Sequence, residues 1–347
     1  MKTKLLALVA TLGMVASASA VKINNNLSIN GFIDGSWTDR NEDHLTGVAS
    51  NDSQDISVDE VELNFVVNAG NVSGLIAIDT DSSASGRSAA DNIDVEQAHF
   101  TYAFENGLSV TFGRYGSKLG LEREDPAGLY TFSRAYGDSG AAGASEANNY
   151  GDVDNVVFDG VAFGYNYGNF QLGLSIDQDV DENLEAVSEG TNYEVSVAYT
   201  GWDNLVVNAG WRAQDEGVNA GNESLDTDHV NINAAYSFGK ALVAIEWQEE
   251  SNDRTTAGSK GDVEATQILL DYDFTDKIGA AFRYSSEDKD ADERSGLEIS
   301  KITIAPNYAI TDSLGLILEY TTADVDVAAG QDSDDYDFVA AELTYTF

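Results

Sequence analysis

The chain has no cysteine, two prolines and three histidines in 347 residues, and 18 basic side chains against 60 acidic ones. Each shortage excludes something. Without thiols there are no disulfides, thiolate metal centres or cysteine nucleophiles, and a chain of this length can bury a sufficient core without cross-links. A formal net charge of −42 argues against nucleic acid and anionic lipid as electrostatic partners, and fits a surface bathed in divalent cations or salt. Past residue 20, no apolar run approaches the roughly 18 residues that mark a membrane-crossing helix. Few prolines beside 32 glycines and 16 tyrosines favour strands and turns over helices.

The only long apolar stretch lies at the start, in MKTKLLALVATLGMVASASA. Lys2 and Lys4 form a basic region, Leu5 to Val15 an apolar one too short to span a bilayer, and Ala18-Ser19-Ala20 a small-residue cleavage site. Residues 1–20 are therefore expected to be a cleaved signal peptide, with a single mature domain over 21–347. Loss of Lys2 and Lys4 takes the net charge from −42 to −44. An exported chain without a helical span is either soluble or a β-barrel.

What the sequence does contain is alternation. Leu343, Tyr345 and Phe347 alternate with Glu342, Thr344 and Thr346, so a strand there has one apolar and one polar face. The same period of two runs through Leu27–Trp37, Val61–Ala69, Val72–Ile78, Ala98–Phe104, Leu108–Phe112, Val157–Tyr167 and Phe170–Ile176. It continues through Tyr193–Tyr199, Leu205–Trp211, Val230–Phe238, Ala241–Trp247, Ile268–Phe274, Ile278–Tyr284, Ile302–Tyr308 and Leu314–Tyr320. That is about sixteen strands, within the range of membrane barrels.

The connections alternate in length. Gly70-Asn71, Glu105-Asn106-Gly107, Gly168-Asn169, Gly201–Asn204, Gly239-Lys240, Thr275–Lys277 and Thr311–Ser313 have hairpin-turn chemistry. Asp39–Ser57, Asp177–Gly190, Gln214–Asp228 and Glu249–Asp262 read as long acidic loops. A soluble β-sandwich would also alternate. It would not bracket its apolar stripes with aromatics at both ends. Here Tyr165, Tyr167, Phe170, Tyr199, Trp202, Phe238 and Phe274 lie by the short turns, and Trp37, Trp211, Trp247, Tyr284 and Tyr320 by the loops. Two aromatic girdles, short periplasmic turns and long outer loops describe an all-β, antiparallel up-and-down transmembrane barrel. The terminal Phe347 resembles the closing residue of outer-membrane proteins.

If the apolar parity faces lipid, the other faces the lumen. It carries Asn30, Asp34, Glu62, Gln97, His99, Thr111, Glu194, Ser196, Asn208, Arg212, Asn231, Asn233, Glu246, Gln248, Asp271, Asp273, Arg283, Lys301, Thr303, Glu319 and Glu342. Around sixteen strands such a face encloses water or a polar plug. The stretch from about Tyr115 to Asn155, GRYGSKLGLEREDPAGLYTFSRAYG onward, loses the alternation and is the longest connection. A structureless segment of that length is expected to have a function. Residues 116–150 are expected to fold into the lumen as a constriction loop. Lys118, Glu122, Arg123, Glu124, Asp125 and Arg134 would line it, with Arg212, Arg283 and Lys301 on the wall as partners. A solvated lid over the rim is the alternative. Arg114 shares the lipid-facing parity of Val110 and Phe112, and is expected past the membrane zone or beside a bulge.

Gly113, Arg114, Gly120, Glu122, Pro126, Ser133 and Arg134 follow a local pattern. Over about 25 residues it resembles the β-barrel porin-2 (OmpL-like) family and, more loosely, the general Gram-negative porins. Arg stands at 114 where Lys is usual, and Ala at 135 where Ser is common. The resemblance implies an outer-membrane porin for passive diffusion of small hydrophilic solutes and ions, without a cofactor. It leaves substrate and oligomeric state open. A homotrimer is a candidate assembly, and outer-membrane lipid and lipopolysaccharide are the expected surroundings. The acid excess predicts modest cation selectivity. A structural or adhesive barrel without an open pore, and a carbohydrate-specific channel, are the alternatives.

Catalysis finds little support. His44, His99 and His229 lack triad spacing, and neither a zinc motif nor a phosphate-binding glycine loop occurs. Asp177, Asp179 and Asp181 have the spacing of a calcium loop, but Glu182 stands where glycine is needed and Ser188 where the bidentate acid belongs. No metal site is expected. The acidic Glu287–Glu293 stretch reads as a solvated loop.

Overall fold

The computed structural model describes residues 20–44, 53–81, 94–122, 126–136, 157–179, 190–218, 224–254, 260–291, 297–327 and 334–347. The expected signal peptide, Arg123, Glu124, Asp125 and residues 137–150 of the expected constriction loop lie outside these, apart from Ala20.

The strands are β1 (Val21–Lys22), β2 (Leu27–His44), β3 (Ser53–Ala69), β4 (Val72–Asp81), β5 (Asp94–Ala103), β6 (Leu108–Gly116), β7 (Val157–Tyr167), β8 (Phe170–Asp179) and β9 (Asn192–Trp202). They continue with β10 (Leu205–Val218), β11 (Ser224–Phe238), β12 (Ala241–Arg254), β13 (Lys260–Asp273), β14 (Ile278–Ala291), β15 (Leu297–Ala309), β16 (Leu314–Val327) and β17 (Asp334–Thr346). From β2 to β17, each pairs antiparallel with its neighbour in sequence. β17 pairs back onto β2, with Leu343 opposite Gly35 and Tyr345 opposite Ile33. The barrel thus closes on sixteen strands and leaves no open edge. Phe347 completes the seam, donating to Gly31 O at 3.0 Å and accepting from Gly31 N at 3.1 Å. The extra strand β1 folds back on the start of β2.

Alternation places the side chains as the sequence requires. Ile268, Leu270 and Tyr272 are exposed while Gln267, Leu269 and Asp271 are buried. The exposed set forms a continuous apolar belt, which in a barrel is the lipid face. At the short-turn end its aromatics touch in pairs: Tyr165 with Tyr167, Phe170 with Tyr199, Tyr236 with Phe238, Tyr272 with Phe274. At the other end Trp211 and Trp247 donate to Asp228 and Glu264 at 3.1 and 2.9 Å, and Tyr320 to Asp337 at 2.7 Å. Apolar rings toward the belt and polar tips toward water are the interfacial arrangement. The turns use the residues that their backbone demands. Gly70 and Gly239 open two-residue hairpins at φ 65° and 57°, a region that side chains with a Cβ disfavour.

The long connections are shorter than the sequence suggests, because the ladder continues past the apolar belt. Glu249 to Arg254 belong to β12, and Lys260 to Asp262 to β13. About 9–11 residues suffice for a tilted strand to cross a bilayer, whereas β10, β12, β13, β14 and β16 each hold 14. Where the outward positions turn polar, backbone pairing persists. Asp177 likewise lies in β8 rather than in a loop, as do Glu287 to Asp290 in β14. Residues 180–189 of the calcium-like stretch lie outside the described set, and among the described residues no three His, Asp or Glu side chains form a metal-holding group. Arg114 sits at no bulge. It is in register between Ala98 and Asp159, near the loop end of β6, and binds Asp159 at 3.2 Å on the outer face.

Candidate constriction inside the barrel

Two described pieces of the long connection, 117–122 and 126–136, lie within the barrel against the inner wall. The first follows Gly116, the end of β6, next to Tyr115, whose hydroxyl is 2.7 Å from Ser175 Oγ. Glu194 on β9 then takes hold of it, accepting from Ser117 Oγ at 2.6 Å and from Lys118 N at 3.0 Å. Gly210 makes room on the wall. A Cβ at Gly210 would collide with Leu119. Leu121 enters an apolar nest of Ala235, Leu242, Ala244, Leu269, Ala281 and Ala305, flanked by Tyr130 and Ile317. The inner wall is therefore not polar throughout. Small apolar residues on β11–β15 form a seat for the segment.

The second piece starts with a short helical turn, Pro126–Gly128, and ends in a knot of hydrogen bonds around Arg283 on β14. Its Nη1 shares its two N–H groups among Glu122 Oε1 (2.6 Å), Thr131 Oγ1 (2.7 Å) and Ser133 O (2.7 Å). Its Nη2 donates to Ser133 Oγ (2.9 Å) and Arg134 O (2.8 Å). Arg283 is 0 % exposed. Lys301 Nζ on β15 also donates to Arg134 O, at 3.1 Å, and Ser285 Oγ to Ala135 O at 2.8 Å. Glu319 on β16 accepts from the backbone N–H groups of Phe132 and Ser133 at 2.7 and 3.1 Å. Glu122 closes the segment on itself, accepting from Ala135 N at 2.8 Å. Phe132 stacks on Phe338 of β17, ring centroids 5.8 Å apart. A guanidinium with five donors in a rigid fork suits this clustering of carbonyl and carboxylate oxygens.

Of the residues singled out from the sequence, Glu122, Arg134, Arg283 and Lys301 thus come together. Arg134 contributes its backbone oxygen to the knot, and Arg283 is spent on binding the segment. Lys118 lies apart, on the β8–β9 wall. Arg212 lies apart too. It forms a buried pair with Asp177 (2.8 Å) and covers the Phe158 ring at 3.9 Å. Arg123, Glu124 and Asp125 lie outside the described residues. Sequence reading placed Glu194 and Glu319 on the lumen face but did not see them as clamps. Their partners in the segment include the main-chain N–H groups of Lys118, Phe132 and Ser133, which no side-chain pattern announces. The apolar seat had a signal, since ALVAI (241–245) and AAF (280–282) are apolar in both parities.

Beside the seat runs a polar ladder. Asn208 donates to Asn233 (2.8 Å), Asn233 to Asn231 (2.9 Å), and Asn231 to Glu246 (2.9 Å). Gln267 donates to the other oxygen of Glu246 at 2.7 Å. Buried amides and acids left without such partners would each cost about 1–3 kcal/mol.

A closed sixteen-stranded barrel with an apolar belt, aromatic borders and a segment folded inward defines the class: a transmembrane channel-type barrel of the outer membrane. The family model for the Gram-negative porins matches residues 5–328, and the chain belongs to that family. The match is to the group that the sequence resembles more loosely. A search of curated proteins finds no match. Among solved structures the chain is similar to the anion-selective porin from Comamonas acidovorans (TM-score 0.69, 16 % identity, 92 % of this chain and 99 % of that one). It is also similar to the outer membrane channel DcaP of Acinetobacter baumannii (TM-score 0.68, 14 % identity, 95 % and 100 %). A third is the trimer form of the in-vitro folded outer membrane protein OmpT of Vibrio cholerae (TM-score 0.59, 13 % identity, 93 % and 100 %). At such identities these share the fold.

Proposed function

We propose that the protein is a general diffusion channel, water-filled and modestly cation-selective, through which small hydrophilic solutes and ions cross the outer membrane. The observation that carries this reading is that the pieces 117–122 and 126–136 lie inside the barrel, with Glu122 of the first bound to Arg283 on β14. A barrel with a purely structural or adhesive role has no need to hold a charged segment inside its lumen. The constriction in this reading lies between that segment, with Lys118, Glu122 and Arg134, and the uncovered wall. Arg283 and Lys301 hold the segment in place. Arg212, bound to Asp177, belongs to the wall's packing.

Cation preference follows from the excess of acids on the inner parity and from the net charge of −42. The anion selectivity of the Comamonas relative belongs to that protein, since the likeness covers the fold alone. Reversal potentials in a KCl gradient test the preference. They should favour K⁺, more so at 0.1 M than at 1 M, as the Debye length shrinks from about 10 Å to about 3 Å. A potential favouring Cl⁻ at both salts contradicts it. A homotrimer is the assembly we assign, by likeness to the trimer form of the Vibrio protein. Crosslinking in native outer membranes should give a three-subunit product, and monomers alone would contradict the assignment.

A further inference from the structure

Inside the barrel most basic side chains are spent. Arg212 binds Asp177, Lys289 binds Glu287, and Arg283 and Lys301 hold oxygens of the segment. Arg40 lies over the Tyr336 ring. Lys118 differs. Its backbone N–H donates to Glu194, and among the described residues its ammonium meets no hydrogen-bond or ion-pair partner. Glu194 is its electrostatic neighbour, but that carboxylate is turned to Ser117 Oγ and to the Lys118 N–H.

The register sets a second free donor beside it. Ser196 on β9 is opposite Gly173 of β8 and Gly210 of β10. A Cβ built on Gly173 would touch Lys118 Nζ at 3.5 Å and collide with Ser196 Oγ. Ammonium and hydroxyl are therefore neighbours. The Ser196 hydroxyl, too, has no hydrogen-bond partner among the described residues. Both side chains are half-buried and keep contact with water.

A cation that has lost part of its hydration gains most from an anion that supplies charge and acceptor oxygens together. An ammonium beside a hydroxyl offers a charge and two kinds of donor to one oxyanion. We propose that Lys118 and Ser196 form an oxyanion foothold in the pore, where the carboxylate or phosphate group of a small solute rests on its way past the segment. The Glu194 carboxylate nearby keeps the hold weak, so the solute exchanges. The foothold rests on the reading of the barrel as a conducting pore and names a class of solute for it. These are small hydrophilic molecules carrying an oxyanion, passed despite the acid excess of the inner wall.

Inorganic phosphate is the probe. In planar bilayers bathed in KCl, phosphate should reduce the current through wild type in a saturable way. Lys118→Gln should need about tenfold more phosphate for half-block, the loss expected for one charge-assisted hydrogen bond, and should shift the reversal potential further toward K⁺. Ser196→Ala, which removes the hydroxyl alone, should need about threefold more. Lys118→Arg keeps the charge and should keep the block. Block lost in Lys118→Arg as well as in Lys118→Gln would mean a merely structural place in the segment and overturn the foothold. The control is Lys240→Gln, whose ammonium donates to Phe274 O at a short turn and whose removal takes away the same unit of charge. It should be blocked like wild type. Equal block in wild type and Lys118→Gln, or an equal loss in Lys240→Gln, also overturns the foothold. Should every protein insert without conducting, the pore reading fails by itself, and phosphorus NMR of phosphate with the protein in detergent decides the foothold. Wild type then broadens the phosphate resonance more than Lys118→Gln does, and equal broadening overturns the proposal.

Discussion

Arg283 Nη1 lies 2.6 Å from Glu122 Oε1, joining positions 161 residues apart. Glu122 comes from the infolded segment and Arg283 from β14. The pair therefore fixes where the segment sits relative to the wall.

Replacing Arg283 by Gln removes the donor to Glu122 and to the carbonyls of Ser133 and Arg134. Breaking a buried ion pair costs about 3–5 kcal/mol, so the thermal unfolding midpoint should fall. The segment should also loosen, and single-channel conductance and the cutoff for neutral solutes should rise together. A folded variant with unchanged conductance and cutoff would mean that the segment does not set the pore width.

Deleting Gly116–Tyr150 should have the larger effect of the same sign. Liposome swelling with sugars of increasing size reads it directly. A folded deletion barrel with the wild-type exclusion limit would place the narrowing elsewhere.

Arg212 gives the contrasting case. Its guanidinium is bound to Asp177 and stacked on Phe158, apart from the Arg283 knot. Arg212→Gln should cost stability, again about 3–5 kcal/mol, and leave the reversal potential within error of wild type. A clear selectivity change would return Arg212 to the ion path.

Leu270 faces outward in the middle of β13. Leu270→Arg should destabilise folding into vesicles by about 2–4 kcal/mol and leave conductance unchanged once folded. A neutral substitution there would contradict the lipid-facing assignment of this parity.

Strands and faces were legible because a period of two is written locally: Leu343, Tyr345 and Phe347 declare one face within five residues. The ends of the strands were not. Glu249 and Asp262 continue the ladder where the bilayer stops, and their polarity reads as loop. The location of Arg283 inside the barrel was legible from its parity. Its task was not, since it is defined by carbonyls of Ser133 and Arg134, brought to it by the fold. Arg212 and Arg283 look alike in sequence, each a lone base among inward polar residues. Only the structure separates a wall pair from a clasp.

The account stands most directly on single-channel recording of the purified protein in a planar bilayer. It predicts stepwise insertions with ohmic conductance in KCl, as an open aqueous path between the clasped segment and the wall requires. Insertion without current, by protein whose circular dichroism shows a folded barrel, would contradict it.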